Sequence, residues 1–234
     1  MTAYPRRDAL IVCSTLLLLA AWDLAGFDLP LMRSLGNSAG FMWREAPALT
    51  GLHKGGRILG WLVLGWMAWT AWIASRQPRQ ADCPDRAENR NLSGYWLGIT
   101  LLCLLTINLI KQVSATSCPW DLAEFGGVAR HISHWALLTP DGGPGQCFPS
   151  GHSSAGFAFF SLYFLHRQHH ARRARRFLLA VCAAGVVFSL TQIARGAHYP
   201  SHALWTAWLC WTVCCLADSW LMRKQALQLA AGQA

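Results

Sequence analysis

The chain has 234 residues, of which 53% are apolar and 13% charged, with 13 Trp and a formal net charge of +9. An average soluble domain carries about 25% charged residues, so these figures argue against an ordinary soluble enzyme, and they exclude a disordered chain, which needs low hydrophobicity and high charge. Basic chains often bind nucleic acid, but here the basic residues punctuate long apolar runs, which puts a membrane protein first and nucleic acid aside.

Six apolar stretches approach the roughly 20 residues that carry a helix across about 30 Å of hydrocarbon. They run from about Ala9 to Phe27, Ile58 to Ala74, Ser93 to Ile110, Gly151 to Leu165, Phe177 to Ala194 and His202 to Met222. The polar faces that soluble helices need are missing from them. The expectation is an all-α integral membrane bundle of six transmembrane helices, forming one domain over residues 1–234. The opening MTAYPRRDAL resembles the start of a signal peptide, but no clear A-x-A site follows, so it reads as a retained first helix. With both termini cytoplasmic, 13 of the 20 Lys and Arg fall in inner segments and 7 in outer ones. That bias supports this orientation, and the block HHARRARR between the fourth and fifth runs is its strongest anchor.

In this topology three polar clusters meet the outer face. Lys111 and QVSATSCPWDL follow the third run, CFPSGHSS opens the fourth, and QIARGAHYPSH joins the fifth to the sixth. Polar groups at membrane depth are expensive and point to function. Pro149 suits the first turn of a helix, and Ser150 and Gly151 would then present free N–H groups to an anion. His152 adds a proton that titrates near neutrality. Arg195 offers a planar fork for phosphate, while Gly196 and Ala197 leave room for a ligand. His198 is a candidate nucleophile, and His202, four residues on, is placed to accept a hydrogen bond from it. Lys111 closes a third side. Taken singly, each feature equally suits a helix start, a polar turn or a snorkelling anchor.

Together they resemble the type-2 phosphatidic acid phosphatase superfamily, whose ordered motifs are Lys-x6-Arg-Pro, Pro-Ser-Gly-His and Ser-Arg-x5-His-x3-Asp. The second motif matches letter for letter at Pro149-Ser150-Gly151-His152. The first matches at Lys111 and Pro119, with Cys118 in the Arg position. The third matches at His198, with Gln192 in its Arg position and His202 in its Asp position. Arg195 is the candidate for the missing guanidinium and shares a helix face with Gln192. Asp121, with Glu124 behind it, is the nearest alternative carboxylate in the outer loops.

The resemblance implies that His198 attacks a lipid phosphomonoester or diphosphate and forms a phosphohistidine. His152 then serves as acid and afterwards as base. Lys111, Arg195, Gln192, Ser150 and the Gly151 amide would hold the phosphoryl oxygens, with no metal and no cofactor. A phospholipid, polyprenyl or lipid A phosphate is the implied substrate, in a bacterial inner membrane with the site facing the periplasm. The alternatives are a phosphotransferase using the same intermediate, or a catalytically silent membrane protein that binds anionic lipid. Cys118 and Cys147 are the only cysteines in outer loops, and an oxidising compartment permits a bond between them. That bond would close a loop of about 30 residues, worth about 3–4 kcal/mol in the chain-entropy model. Two unpaired thiols are the alternative.

Overall fold

The computed structural model describes residues 4–76, 84–136 and 139–231. Arg79, one of the inner charges, lies outside them, as do the side chains of Arg86 and Arg90. Among the described residues the fold is almost wholly α-helical. The helices are α1 (Tyr4–Ala25), α2 (Asp28–Leu35), α3 (Pro47–Arg76), α4 (Pro84–Val113), α5 (Ser154–Phe157), α6 (Phe160–His166), α7 (Ala171–Ala194) and α8 (Pro200–Ala231). A two-residue hairpin, β1 (Gly36–Asn37) and β2 (Gly40–Phe41), lies between α2 and α3.

Four helical segments are long and apolar enough to cross a membrane: Arg6–Ala25, Pro47–Arg76, Leu92–Val113 and Ala171–Ala194. The remaining two expected spans differ for physical reasons. The fourth run is shorter than expected, with its apolar helix spanning Ser154–His166 and interrupted at Ala158 and Phe159. At 1.5 Å per residue it reaches only about 20 Å. The sixth run has the length, but α8 commits Ser201, His202, Thr206 and Asp218 to the buried interior. Helix ends also move. The first run stops at Ala25, because Gly26 adopts φ +65° and turns the chain into α2. The second begins at Pro47, well before Ile58.

The bundle is apolar on the outside. In α3 the exposed side chains include Ile58, Trp61, Leu62, Trp66 and Trp69, whereas the interior holds Ser150, Ser153, Ser161, Thr100, Thr206 and His202. Water would not tolerate such a surface, and lipid would. Within the bundle, α5 and α6 pack on α7, α4 packs on α6 and α8, and α1 packs on α8. Gly156 and Gly185 allow the closest approach. A Cβ at Gly156 would meet Gly185 N at 2.5 Å, and one at Gly185 would meet the Phe157 ring at 2.2 Å. The main core joins Trp96, Cys103, Ile107, Phe157, Phe160, Phe164, Cys210 and Cys214. A second cluster of Met32, Phe41, Leu122, Phe125, Ile193 and Tyr199 lies where α7 ends, and it carries the polar loops.

Candidate active site

The carboxyl end of α7 places the first group. Gly196 N–H donates to Ile193 O at 3.0 Å and Ala197 N–H to Gln192 O at 2.9 Å, with Gly196 at φ +74°. This is a Schellman ending, which favours glycine at that position. The expected room for a ligand at Gly196 is absent: a Cβ there would meet the Phe41 ring at 2.2 Å. Gly196 ends the helix so that His198, 4% exposed, turns inward.

The loop after α4 places the second group. Residues 114–117 and 145–147 run side by side, with Gln146 N–H donating to Ser114 O at 2.7 Å and Cys147 N–H to Thr116 O at 2.9 Å. Buried Asp141 accepts the Ser117 N–H at 2.6 Å, its hydroxyl at 2.8 Å and the Gly143 N–H at 2.9 Å. Cys118 and Cys147 complete the tie at disulfide distance, with S–S 2.10 Å and Cα–Cα 5.1 Å. Lys111 Nζ donates to Gln146 O, and its stem passes Gly151, where a Cβ would lie 3.6 Å from Lys111 Cδ.

Pro149-Ser150-Gly151-His152 forms the turn that precedes α5, outside the helix itself. Ser150 is fully buried, its N–H donating to His202 O at 3.2 Å, and its hydroxyl accepts from Ser153 Oγ at 2.8 Å. Thr206 Oγ1 bonds Ser150 O at 3.0 Å, tying the turn to α8. Among the described residues, the Gly151 and His152 amides donate to no protein acceptor.

The structure brings His198, His152, Ser150, Gly151 and Lys111 together. The His152 and His198 rings lie 6.1 Å apart. His152 is pushed down to about 4, chiefly by burial and then by the charges of His53, Lys111, Arg57 and Arg195. His198 is pushed well below the usual histidine range by burial and by Lys111. Both imidazoles are therefore neutral at pH 7. Arg195 Nε donates to Arg44 O at 2.9 Å, while its buried Nη1 has no hydrogen-bond partner among the described residues.

Two sequence expectations about partners change. His202 does not accept from His198: the rings are 6.1 Å apart, and His202 Nδ1 bonds Cys147 O at 3.0 Å. His198 Nδ1 instead faces Cys147 Sγ at 3.4 Å. A disulfide sulfur has no proton to give, so a hydrogen bond here requires the imidazole proton on Nδ1, with Nε2 bare. Asp121 makes no bond to either histidine; its carboxylate accepts from the Trp120 indole at 3.0 Å, and burial raises its pKa.

Gln192 bonds a residue that sequence reasoning passed over: its amide nitrogen donates to His53 Nδ1 at 2.9 Å. The His53 ring lies 4.1 Å from that of His152. His53 and Arg57 come from the first turns of α3, in the segment HKGGR. The available signal was three basic or titratable side chains at one membrane boundary. In the sequence that segment reads as a loop before Ile58, which conceals the signal.

A family model described as the PAP2 superfamily matches residues 93–226, more than half of the chain. The chain is also similar to a lipid A 1-phosphatase from Rhizobium johnstonii, 25% identical over 162 residues. That match covers 65% of this chain and 60% of the relative, so the chain spans less than two thirds of the relative's length. No solved structure matches. The family match contains Lys111, the Pro-Ser-Gly-His turn and the Arg195–His202 segment, the three groups that the fold gathers at one site; this chain belongs to the PAP2 superfamily.

Proposed function

We propose that the protein is a lipid-phosphate phosphatase that works through a phosphohistidine on His198. The observation that carries this reading is the pair of imidazoles, 6.1 Å between rings, beside cations that pair with no carboxylate among the described residues. Among the described residues Lys111, Arg57 and Arg195 form no ion pair. Such a site invites an anion.

In the first step His198 Nε2 attacks phosphorus and the bond from phosphorus to the lipid oxygen breaks. His152 passes a proton to that leaving oxygen. In the second step His152 takes a proton from water, the hydroxide attacks phosphorus, and the N–P bond breaks to release inorganic phosphate. Because His152 is neutral in the free site, its proton arrives with the substrate, as a phosphate monoanion. Lys111, Arg195, the Ser150 hydroxyl and the Gly151 amide neutralise the phosphoryl oxygens, and the chemistry places no metal on them. Gln192 holds His53 against His152, which supports the acid–base group from behind.

The substrate is a lipid phosphate, with lipid A and polyprenyl phosphates among the candidates. The relative's name and the apolar exterior support this choice. The protein is one domain of six spans with both termini cytoplasmic. It lies in a bacterial inner membrane with the site facing the periplasm, where a Cys118–Cys147 disulfide persists.

The decisive experiment incubates purified protein with a lipid carrying a labelled phosphate and quenches in base, where phosphohistidine survives. Label on the wild type, none on His198→Ala, and release of inorganic phosphate are expected. Undiminished phosphate release by His198→Ala would overturn the mechanism. Label passed to a second lipid in place of water would make the protein a transferase.

A further inference from the structure

His202 also lines a second cavity, of about 70 Å3. A water or ion needs about 10–15 Å3, so this space accepts a cation with some of its hydration shell. Its lining includes Asp23, Asp28 and His134. Ligand atoms from these three residues all lie within 4.8 Å of one another. Asp23 sits in the last turn of α1, Asp28 in the first turn of α2, and His134 in the loop before the Pro-Ser-Gly-His turn.

The hydrogen bonding leaves this cluster incomplete. Asp28 is served by the Trp22 indole at 2.9 Å, the Ser201 N–H at 3.0 Å and the Ser201 hydroxyl. Asp23 Oδ2 takes the Trp135 indole at 3.1 Å and the Trp205 indole at 2.9 Å. Its Oδ1 is buried without a hydrogen-bond partner among the described residues, and so is His134 Nε2. Both side chains are more than nine-tenths buried, and Nε2 stands 3.3 Å from Asp23 Oδ2, a contact that becomes an ion pair when His134 is protonated. Asp23 and His134, two of the residues that line the cavity, therefore each hold a potential ligand atom that makes no hydrogen bond among the described residues.

Charge points the same way. Among the described residues, no Lys or Arg lines the cavity. Asp23 also stands at the negative end of α1, where a second negative charge is unfavourable and a cation is favoured. The donors of Asp28 and Asp23 are neutral indoles, a hydroxyl and an amide, none of which supplies positive charge.

From these observations we infer that Asp23, Asp28 and His134 form a divalent cation site, separate from the phosphate site and unassigned by the family match. One imidazole nitrogen with carboxylate oxygens suits zinc or manganese better than calcium or magnesium, which take oxygen sets. The cation ties the end of α1 and the start of α2 to the loop that carries His134. That loop matters to the site next door, because His134 stacks on Phe148 at 4.3 Å and meets the His202 ring at 5.6 Å. The role is structural: the cation joins three segments and touches no phosphoryl oxygen.

The test strips purified full-length protein with chelator and titrates it with zinc alone, counting bound metal after gel filtration. Indole fluorescence follows the titration, since three Trp donate to the two carboxylates. One equivalent of zinc, a fluorescence change and a raised thermal midpoint are expected. His134→Gln and Asp23→Asn should each lose that equivalent, and His198→Ala should keep it. If Asp23→Asn fails to fold, His134→Gln alone decides. No stoichiometric zinc on the wild type, or zinc retained in full by folded His134→Gln, would overturn the site. Neither result depends on phosphatase activity, so failure here is distinct from failure of the phosphohistidine reading.

Discussion

Two arginines, one at each end of the bundle, are treated in opposite ways. Arg167, in the turn between α6 and α7, is 3% exposed and lies between two carboxylates, pairing with Asp8 at 2.7 Å and also with Asp218. Arg195, at the other end of α7, is 9% exposed, pairs with no carboxylate among the described residues and leaves Nη1 unused. Burying a charge is costly unless it is matched. The matched arginine fastens α1 and α8 to the α6–α7 turn. The unmatched one, with Lys111 and Arg57 nearby, stores an electrostatic demand that an anionic substrate satisfies. Compensated charge holds this fold together, and uncompensated charge equips its site.

The comparison breaks most sharply at the nucleophile. His198→Ala should cut phosphate release by about 10^4-fold or more while the protein stays folded, measured by turnover and thermal midpoint together. Asp218→Asn tests the opposite end. It leaves Arg167 short of a partner and should cost about 3–5 kcal/mol of stability, read as a large fall in thermal midpoint. Lys111→Met and Arg195→Met should behave the other way, each losing about 10^2–10^3 in kcat with the thermal midpoint kept. If Arg195→Met instead unfolds the protein, its charge is structural and the contrast fails.

Two subtler experiments sharpen the site. Cys118→Ser should lower stability by about 2–4 kcal/mol and also reduce turnover. The freed Cys147 thiol can donate to His198 Nδ1 and favour the wrong tautomer, so a loss of stability without a loss of turnover would count against the sulfur contact. The pH profile tests the neutral imidazoles. His152 in the free site is half-protonated only near 4. A phosphate ester loses its second proton near pH 6. With neutral enzyme and monoanionic substrate as the reacting pair, kcat/KM should rise as pH falls from 8 to 6. It should then hold until about 4. A collapse at 6.5 would show ordinary histidines and refute the burial effect.

Much of this was legible in the chain itself. The Pro-Ser-Gly-His run, Lys111 and His198 stood out because their types suit phosphate chemistry and their positions fall at apolar boundaries. Cys118 and Cys147 stood out by elimination among the outer loops, and the structure places them at bonding distance. His53 was invisible because its role depends on α3 starting at Pro47 and on a ring 4.1 Å away that is remote in sequence. The cavity at Asp23, Asp28 and His134 was equally hidden, since three residues from three segments meet only after α1 stops at Gly26.

By itself the sequence determined the helical membrane character and the chemical types at the site, because hydropathy and side-chain chemistry are local properties. Tertiary structure decided the partners. It gave His198 a sulfur in place of His202, filled the space at Gly196 with Phe41, and left Arg195 unmatched while pairing Arg167 twice. Hydrogen bonds and ion pairs depend on distances of a few ångströms between segments far apart in the chain, and only packing sets those distances.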